Sequence, residues 1–316
     1  MISGDPLISI IMPAYNAAPL IAATIRSVIA QTEPSWELII ADDGSTDTTP
    51  DIAEASGDAR VQVLRLPHSG LPAVARNRGI AQARGSLIAF LDADDLWEPD
   101  KLAHQVAYLE RYSQVGMVFS RYYVWFDHRR RPRAVTPDLR RIANPGRLFY
   151  RLWQQNLIGT STVLVRRSML ETFGCFDEEP RLRGVEDYEL WLRLALHMDV
   201  GYVEQPLCWY RIHGVNLSSN ETAIFEGRLL ALTTLLRKYP WLQYDQQLVG
   251  SRMAARKLRW RAHACLKDGF AEDGRRALVQ SLKIWPADRE TWLLLLVSML
   301  GSRIIRKLRA LSRWIG

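Results

Sequence analysis

The sequence holds only three cysteines, Cys175, Cys208 and Cys265, far apart and without Cys-x-x-Cys spacing. That scarcity excludes a disulfide framework and a thiolate zinc site, and it reads as buried thiols of a reducing compartment. No apolar run reaches the roughly 20 residues that a membrane-spanning helix needs. A basic leader is missing too. Pro13 interrupts the first apolar run, so Met1 to Tyr15 reads as a strand and not as a signal peptide. No glycine-rich phosphate loop follows that strand; Pro13-Ala14-Tyr15-Asn16 stands there instead. Acids are missing from one stretch. Residues 291–316 carry Arg303, Arg306, Lys307, Arg309 and Arg313 and no acid, so of the net charge of +7 only +2 falls elsewhere.

What is present supports a sizeable core: 48% of the 316 residues are apolar, enough for one large domain or two smaller ones. The most informative run is Phe90-Leu91-Asp92-Ala93-Asp94-Asp95, a buried strand from Leu87 to Leu91 that ends in clustered carboxylates. Such acids repel one another, and packing them together is costly without a cation. Hard divalent cations take oxygen ligands, and Mg²⁺ binds through one or two carboxylates plus a substrate's phosphates. The plain alternative is a solvated acidic turn in which Asp94 or Asp95 caps the next helix.

The neighbours come in a fixed order. Leu7 to Met12, Trp36 to Ala41 and Val61 to Leu66 read as strands, with a helix from Leu20 to Gln31 between the first two. The loop His68-Ser69-Gly70 leads into a helix carrying Arg76, Asn77 and Gly79, and the Leu87 strand follows. Strands alternating with helices predict a parallel, doubly wound α/β sheet. Loops after successive parallel strands converge on one rim, so Tyr15, Asp43 and Asp94 should share a crevice.

Five segments together resemble the nucleotide-sugar half of family 2 glycosyltransferases of the GT-A fold. They are Ile10 to Asn16, Asp42-Asp43-Gly44-Ser45-Thr46-Asp47, Arg76-Asn77-Arg78-Gly79, Leu91 to Asp95, and Gly184-Val185-Glu186-Asp187-Tyr188 with the helix that follows it. Tyr210-Arg211-Ile212-His213 through Asn216-Leu217-Ser218 resembles the family's closing segment, so the likeness spans roughly residues 6 to 220. It implies a Rossmann-like, mostly parallel sheet with flanking helices, and inverting transfer of a sugar from a nucleoside-diphosphate donor to a hydroxyl acceptor. It also implies a bound Mg²⁺ or Mn²⁺ held by Asp94 or Asp95, with His213 near the metal or the diphosphate. Donor contacts fall to Pro13, Tyr15 (stacking on the base), Asp43 (accepting from the base), Arg76 (near a phosphate or bracing the acids), Asp92 or Asp94 (at the ribose) and Arg211 (at the leaving phosphates).

The same resemblance makes Asp187 the base that takes the acceptor's proton, with Glu186 as its substitute. The plain alternative is that both acids merely suit a helix N-terminus. That dipole lowers a carboxylate's pKa, so burial has to offset it if the base is to work near neutral pH. Other plain alternatives are core packing for Tyr15, helix capping for Asp43 and a satisfied structural role for His213.

Residues 220–300 carry helical patterning. Arg259 to Leu266 and Ala271 to Ile284 read as one tetratricopeptide-like pair, too little to bury its faces alone. The expected layout is a catalytic domain over 1–220, an all-α helical extension over 221–290 and a basic amphipathic tail over 291–316. The tail suits an anionic membrane surface, which predicts a cytoplasmic protein peripheral on the inner face of the cell membrane. A terminal helix docked on its own domain is the bland alternative. The nine arginines between Arg121 and Arg151 lack any nucleic-acid-binding motif, so no nucleic acid partner is expected. They read as an exposed loop without function, or as a loop near membrane headgroups or a lipid-diphosphate acceptor; the acceptor expected is a glycan or lipid-linked. Two rival functions remain at this stage: a sugar-nucleotide pyrophosphorylase, disfavoured by the missing glycine-rich loop, and a non-catalytic scaffold binding through its helical tail, disfavoured by the intact acids.

Overall fold

The computed structural model describes residues 7–126, 133–136, 148–213, 221–240, 242, 250–267, 270–286 and 288–299. They form two units, dividing at residues 219–220, with Gly227–Leu232 belonging to the first.

The first unit begins β1 (Ile8–Ala14), α1 (Ile21–Ile29), β2 (Trp36–Asp42), α2 (Thr49–Glu54), β3 (Val61–Arg65), α3 (Pro72–Gln82) and β4 (Leu87–Phe90). β3, β2, β1 and β4 lie side by side in that order, all parallel. Their sequences are continuous apolar runs because both faces of a parallel sheet are covered. Ile8, Ile10, Ile11, Leu38, Ile39, Ile40, Ile88 and Phe90 are all fully buried. Each such side chain contributes roughly 1.5–3 kcal/mol. Gly79 lets α3 sit close on the sheet, since a Cβ there would come within 2.8 Å of Ile11 Cγ2.

Beyond β4 the sheet turns mixed. The chain continues through β5 (Leu96–Trp97), α4 (Lys101–Arg111), β6 (Val115–Phe126), β7 (Arg133–Thr136), α5 (Leu148–Gln154), β8 (Val163–Arg166), α6 (Arg167–Phe173), α7 (Glu186–His197) and β9 (Asp199–Ile212). β8 inserts antiparallel between β4 and β6, and β9 then runs parallel to β6. The expectation of a parallel, doubly wound sheet therefore holds for the first four strands and for the β6–β9 pair, and fails at β8. A parallel pair needs a crossover of a dozen or more residues, usually a helix, and β8 instead returns antiparallel beside both its neighbours.

A second correction concerns Arg121 to Phe126. These residues form the end of β6, paired with Pro206 to Ile212 of β9, and are not part of an exposed loop. Aromatic residues favour a pleated, half-buried surface, and Tyr123 and Trp209 meet across the pair at 4.7 Å. Of the rest of that basic stretch, residues 127–132 and 137–147 lie outside the described residues. So do Asn216-Leu217-Ser218 and residues 300–316.

The second unit contains α9 (Gly250–Lys267), α10 (Ala271–Ile284) and α11 (Arg289–Met299), with part of α8 (Glu221–Lys238). Ala262, Ala277 and Leu278 form its small core, with Leu266, Leu294 and Leu295 against them. The helix pair read from sequence thus gains α11 as a third partner. Residues 291–299 belong to this packing instead of to a separate tail: Thr291 is fully buried and bonds to Asp288, which also pairs with Arg259.

Candidate active site

The carboxyl ends of β1, β2 and β4 share one rim, at the point where the strand order reverses, and open sheets bind ligands there. The loops after β1 and β2 are tied together. Asn16, at φ +49°, accepts from the Thr46 N–H at 2.9 Å and donates its own N–H to Ser45 Oγ at 2.9 Å. Asp42 holds Ser45, and Asp47 accepts from the Ala18 N–H. This framework presents Tyr15 at 46% exposure, its ring stacked on His68 at 4.3 Å. Tyr15 is therefore not a core residue. Pro13 sits in β1 beside Ala41.

Asp43 is buried and does not cap α2. Its Oδ1 accepts from the Ser69 N–H and hydroxyl at 2.8 and 2.7 Å, and its Oδ2 from the Gly70 N–H at 2.9 Å. His68 Nδ1 approaches the Asp43 carbonyl at 2.8 Å. Asp43 thus pins the loop after β3 beneath Tyr15. Gly44 makes room for it: at φ +68°, a Cβ there would come within 2.8 Å of the His68 nitrogen.

The three acids after β4 have three environments. Asp92 receives Arg76 Nη2 at 2.8 Å. Asp94 is partly exposed and meets His213 Nε2 at 2.7 Å. Burial, then the charge of Asp92, raises the pKa of Asp94. Asp95 points inward, accepting from the Ser161 hydroxyl and from the Arg211 N–H at 3.0 Å, and burial raises its pKa well above the carboxylate range. Neither Asp94 nor Asp95 accepts the first-turn hydrogen bonds of an N-cap for α4, which Asp100 precedes.

These positions separate the two metal candidates. Asp94 and His213 face each other on the rim, whereas Asp95 is 2% exposed with a protein donor on each oxygen. Among the described residues no cluster of three His, Cys, Asp or Glu could hold a metal unaided. One carboxylate and one imidazole fit a cation whose other ligands are phosphate oxygens and water.

Arg76 joins the acids to α7. It is 5% exposed and donates Nη1 to Glu186 Oε1 at 2.7 Å while Nη2 holds Asp92. Of its two expected roles it fills the brace. Glu186 is buried in that pair and also accepts from the Gly184 N–H at 2.6 Å, which leaves it poorly placed as a base. Asp187 is only partly buried at its surface. Its Oδ1 accepts from the Tyr188 N–H at 2.6 Å and its Oδ2 from the Thr160 hydroxyl at 3.0 Å. Desolvation first, then the Glu186 charge, raises its pKa to about 6. Burial outweighs the Arg76 charge and the Thr160 and Tyr188 hydrogen bonds that lower it, the direction that a base near neutral pH requires. Arg211 is 6% exposed, with its guanidinium over Trp125 at 4.7 Å.

Sequence reasoning missed His68, Thr160 and Ser161. Isolated hydroxyls before a strand carry no periodic or motif signal, and only the folded chain brings them to the acids.

A family model described as glycosyl transferase family 2 matches residues 9–174. The putative teichuronic acid biosynthesis glycosyltransferase TuaG of Bacillus subtilis (strain 168) is 34% identical over 225 residues, covering 70% of this chain and 85% of that protein. The Escherichia coli protein WfgD, a UDP-Glc:alpha-D-GlcNAc-diphosphoundecaprenol beta-1,3-glucosyltransferase, is 32% identical over 69% of this chain and 81% of its own length. Among solved structures, S. aureus TarS 1-349 in complex with UDP superposes with a TM-score of 0.63 at 19% identity, covering 92% of this chain and 83% of that one. The mannosyltransferase PcManGT from Pyrobaculum calidifontis, in complex with GDP-Man and Mn²⁺, gives 0.58 at 20% identity, covering 94% and 85%. At these identities the two structures establish a shared fold.

Proposed function

Because this chain belongs to glycosyltransferase family 2, we propose that it moves a sugar from a nucleoside-diphosphate donor to an acceptor hydroxyl with inversion. The observation that carries the reading is the Arg76 bridge: one buried guanidinium ties Asp92, on the donor side, to the first turn of α7, where Asp187 stands. Donor acids and base therefore share one crevice. The acceptor oxygen attacks the anomeric carbon and the bond from that carbon to the diphosphate oxygen breaks. The electron pair leaves on the diphosphate, and the acceptor's proton passes to Asp187. A single displacement inverts the centre.

In this reading Tyr15 offers the face away from His68 to the base, above the loop that Asp43 holds. Asp92, oriented by Arg76, serves the ribose. Asp94 and His213 would hold a Mg²⁺ or Mn²⁺, which when bound would supply positive charge to offset that of a leaving diphosphate. Arg211 backs this end with a buried positive charge and fixes Asp95 through its backbone. The family assignment removes the pyrophosphorylase alternative, and the complete set of acids disfavours the scaffold.

The proposed acceptor class is supported by relatives named for teichuronic acid biosynthesis and for an alpha-D-GlcNAc-diphosphoundecaprenol substrate. The proposed acceptor is lipid-linked or a polymer at a membrane surface; no described helix is long and apolar enough to cross a membrane. Trp292, Leu293, Leu296 and Met299 are exposed on α11, and the basic stretch 300–316 follows. Peripheral attachment to the inner face of the membrane is part of the proposal.

The test is a panel of UDP- and GDP-sugars with polyprenyl-diphosphate sugar acceptors and Mn²⁺, read by mass spectrometry, with product configuration by NMR. A glycosylated acceptor of inverted configuration is expected. A retained configuration, or release of free sugar with every acceptor, would overturn the mechanism.

A further inference from the structure

We propose that the turn Thr160–Thr162 is the positioning hub of this active site, setting the acid loop after β4 through Ser161 and the Asp187 carboxyl through Thr160. The Ser161 hydroxyl accepts from the Asp92 N–H at 3.1 Å and donates to Asp95 Oδ2. It thereby locks both ends of the Asp92–Asp95 turn, with Asp94 between them. One residue earlier, the Thr160 hydroxyl donates to Asp187 Oδ2 at 3.0 Å. Adjacent side chains thus address the donor half of the crevice and the acceptor half.

The turn can do this because its own backbone is clamped from below. Trp97 Nε1 donates to the Ser161 carbonyl at 2.7 Å, and Gln105 Nε2 to the Thr162 carbonyl at 2.8 Å. Lys101 steadies both clamps: its Nζ donates to Gln105 at 2.6 Å and lies 3.9 Å from the Trp97 ring centroid. Thr160, Ser161 and Thr162 are all at most 7% exposed. Thr162 shows how a purely structural hydroxyl behaves here, bonding back to the Gly159 carbonyl at 2.7 Å. Thr160 and Ser161 instead direct theirs at carboxyl groups of other elements.

The Thr160 half rests on Asp187 being the base. The charged groups acting on Asp187 are Glu186, which raises its pKa, and Arg76, which lowers it; the Thr160 hydroxyl adds to the lowering. Thr160→Val keeps the shape and deletes the donor, whereas Thr160→Ser keeps the donor. In T160V the acid limb of kcat against pH should move up by about one pH unit, equal to about a tenfold loss of ionised base on that limb. Donor KM should stay within about twofold, because only the base is touched, and T160S should restore the profile.

The Ser161 half is read without turnover. UDP and GDP are titrated calorimetrically with Mn²⁺ into the whole chain, and S161A should bind about tenfold more weakly, as for loss of a supporting hydrogen bond behind a metal ligand. If S161A does not fold by circular dichroism, Ser161→Cys keeps the volume with only a weak donor and is read the same way. An unmoved pH profile in T160V, with Asp187→Asn inactive, would overturn the Thr160 assignment. An Asp187→Asn enzyme as fast as wild type would instead overturn the base. Unchanged nucleotide affinity in a folded Ser161 variant would overturn the acid-loop assignment.

Discussion

At the residue scale, neighbouring acids differ by what surrounds them. Asp94→Asn removes a charge at the rim without changing shape, so nucleotide binding in Mn²⁺ should weaken and turnover fall about 100-fold or more. Asp95→Asn leaves the rim ligands and disturbs the Ser161 and Arg211 bonds, so its melting temperature should fall more than that of Asp94→Asn. Equal metal dependence in wild type and Asp94→Asn would sink the metal assignment. Asp187→Asn should keep donor affinity and lose about 10²–10⁴-fold in kcat. Activity should rise with pH through about 6 as Asp187 loses its proton. The stability effect has the opposite sense. The folded pKa lies above the ordinary carboxylate value, so above pH 4 the unfolded chain releases this proton more readily than the native one. Asp187 therefore weakens the fold progressively from about pH 4 to 6 and fully above that. Asp187→Asn should melt higher than wild type at pH 7.5 and alike at pH 4, by differential scanning fluorimetry.

At the element scale, the donor rim is made of loops that are stiff because they bond to one another. Gly44 is the hinge of that arrangement, with a left-handed backbone and no space for a Cβ beside His68. Gly44→Ala should cost about 1–2 kcal/mol from the backbone conformation alone, lower the melting temperature by several degrees, and raise donor KM more than it lowers kcat. A KM unchanged in G44A would show that the Asp43–His68 loop does not touch the donor. The elements also mark where sequence patterns lead and mislead. Strands buried on both faces advertise themselves as apolar runs, so β1, β2 and β4 were legible. The end of β6 was not, because Tyr122 to Trp125 pack only partly and run on into arginines, a pattern that a loop shares.

At the scale of the whole molecule, the charge asymmetry near the C-terminus yields a prediction about attachment. Leu294 and Leu295 pack on the helical core, so removing residues 291–299 would damage that unit. The informative truncation ends at Met299. It should lose the salt-sensitive part of sedimentation with anionic vesicles and leave transfer to a soluble acceptor analogue intact. Attraction to headgroups is screened within about 8 Å at physiological ionic strength, so raised salt should weaken binding of the full chain. Apolar insertion by Trp292, Leu293, Leu296 and Met299 would persist in salt. Equal sedimentation of both chains at every salt concentration would place attachment elsewhere.

The amino-acid order alone determined the α/β class, the converging rim, the acid run after β4 and the family. Each is written locally, in apolar periodicity or in a contiguous motif of a few residues. Only the tertiary structure decided what surrounds each acid. Asp94 and Asp95 are adjacent and chemically identical, yet one meets His213 at the rim and the other is sealed beneath Ser161 and Arg211. Glu186 and Asp187 are separated in the same way, by an Arg76 reaching across 110 residues to the first of them. Desolvation and partner charge set a carboxylate's chemistry, and both come from residues remote in sequence.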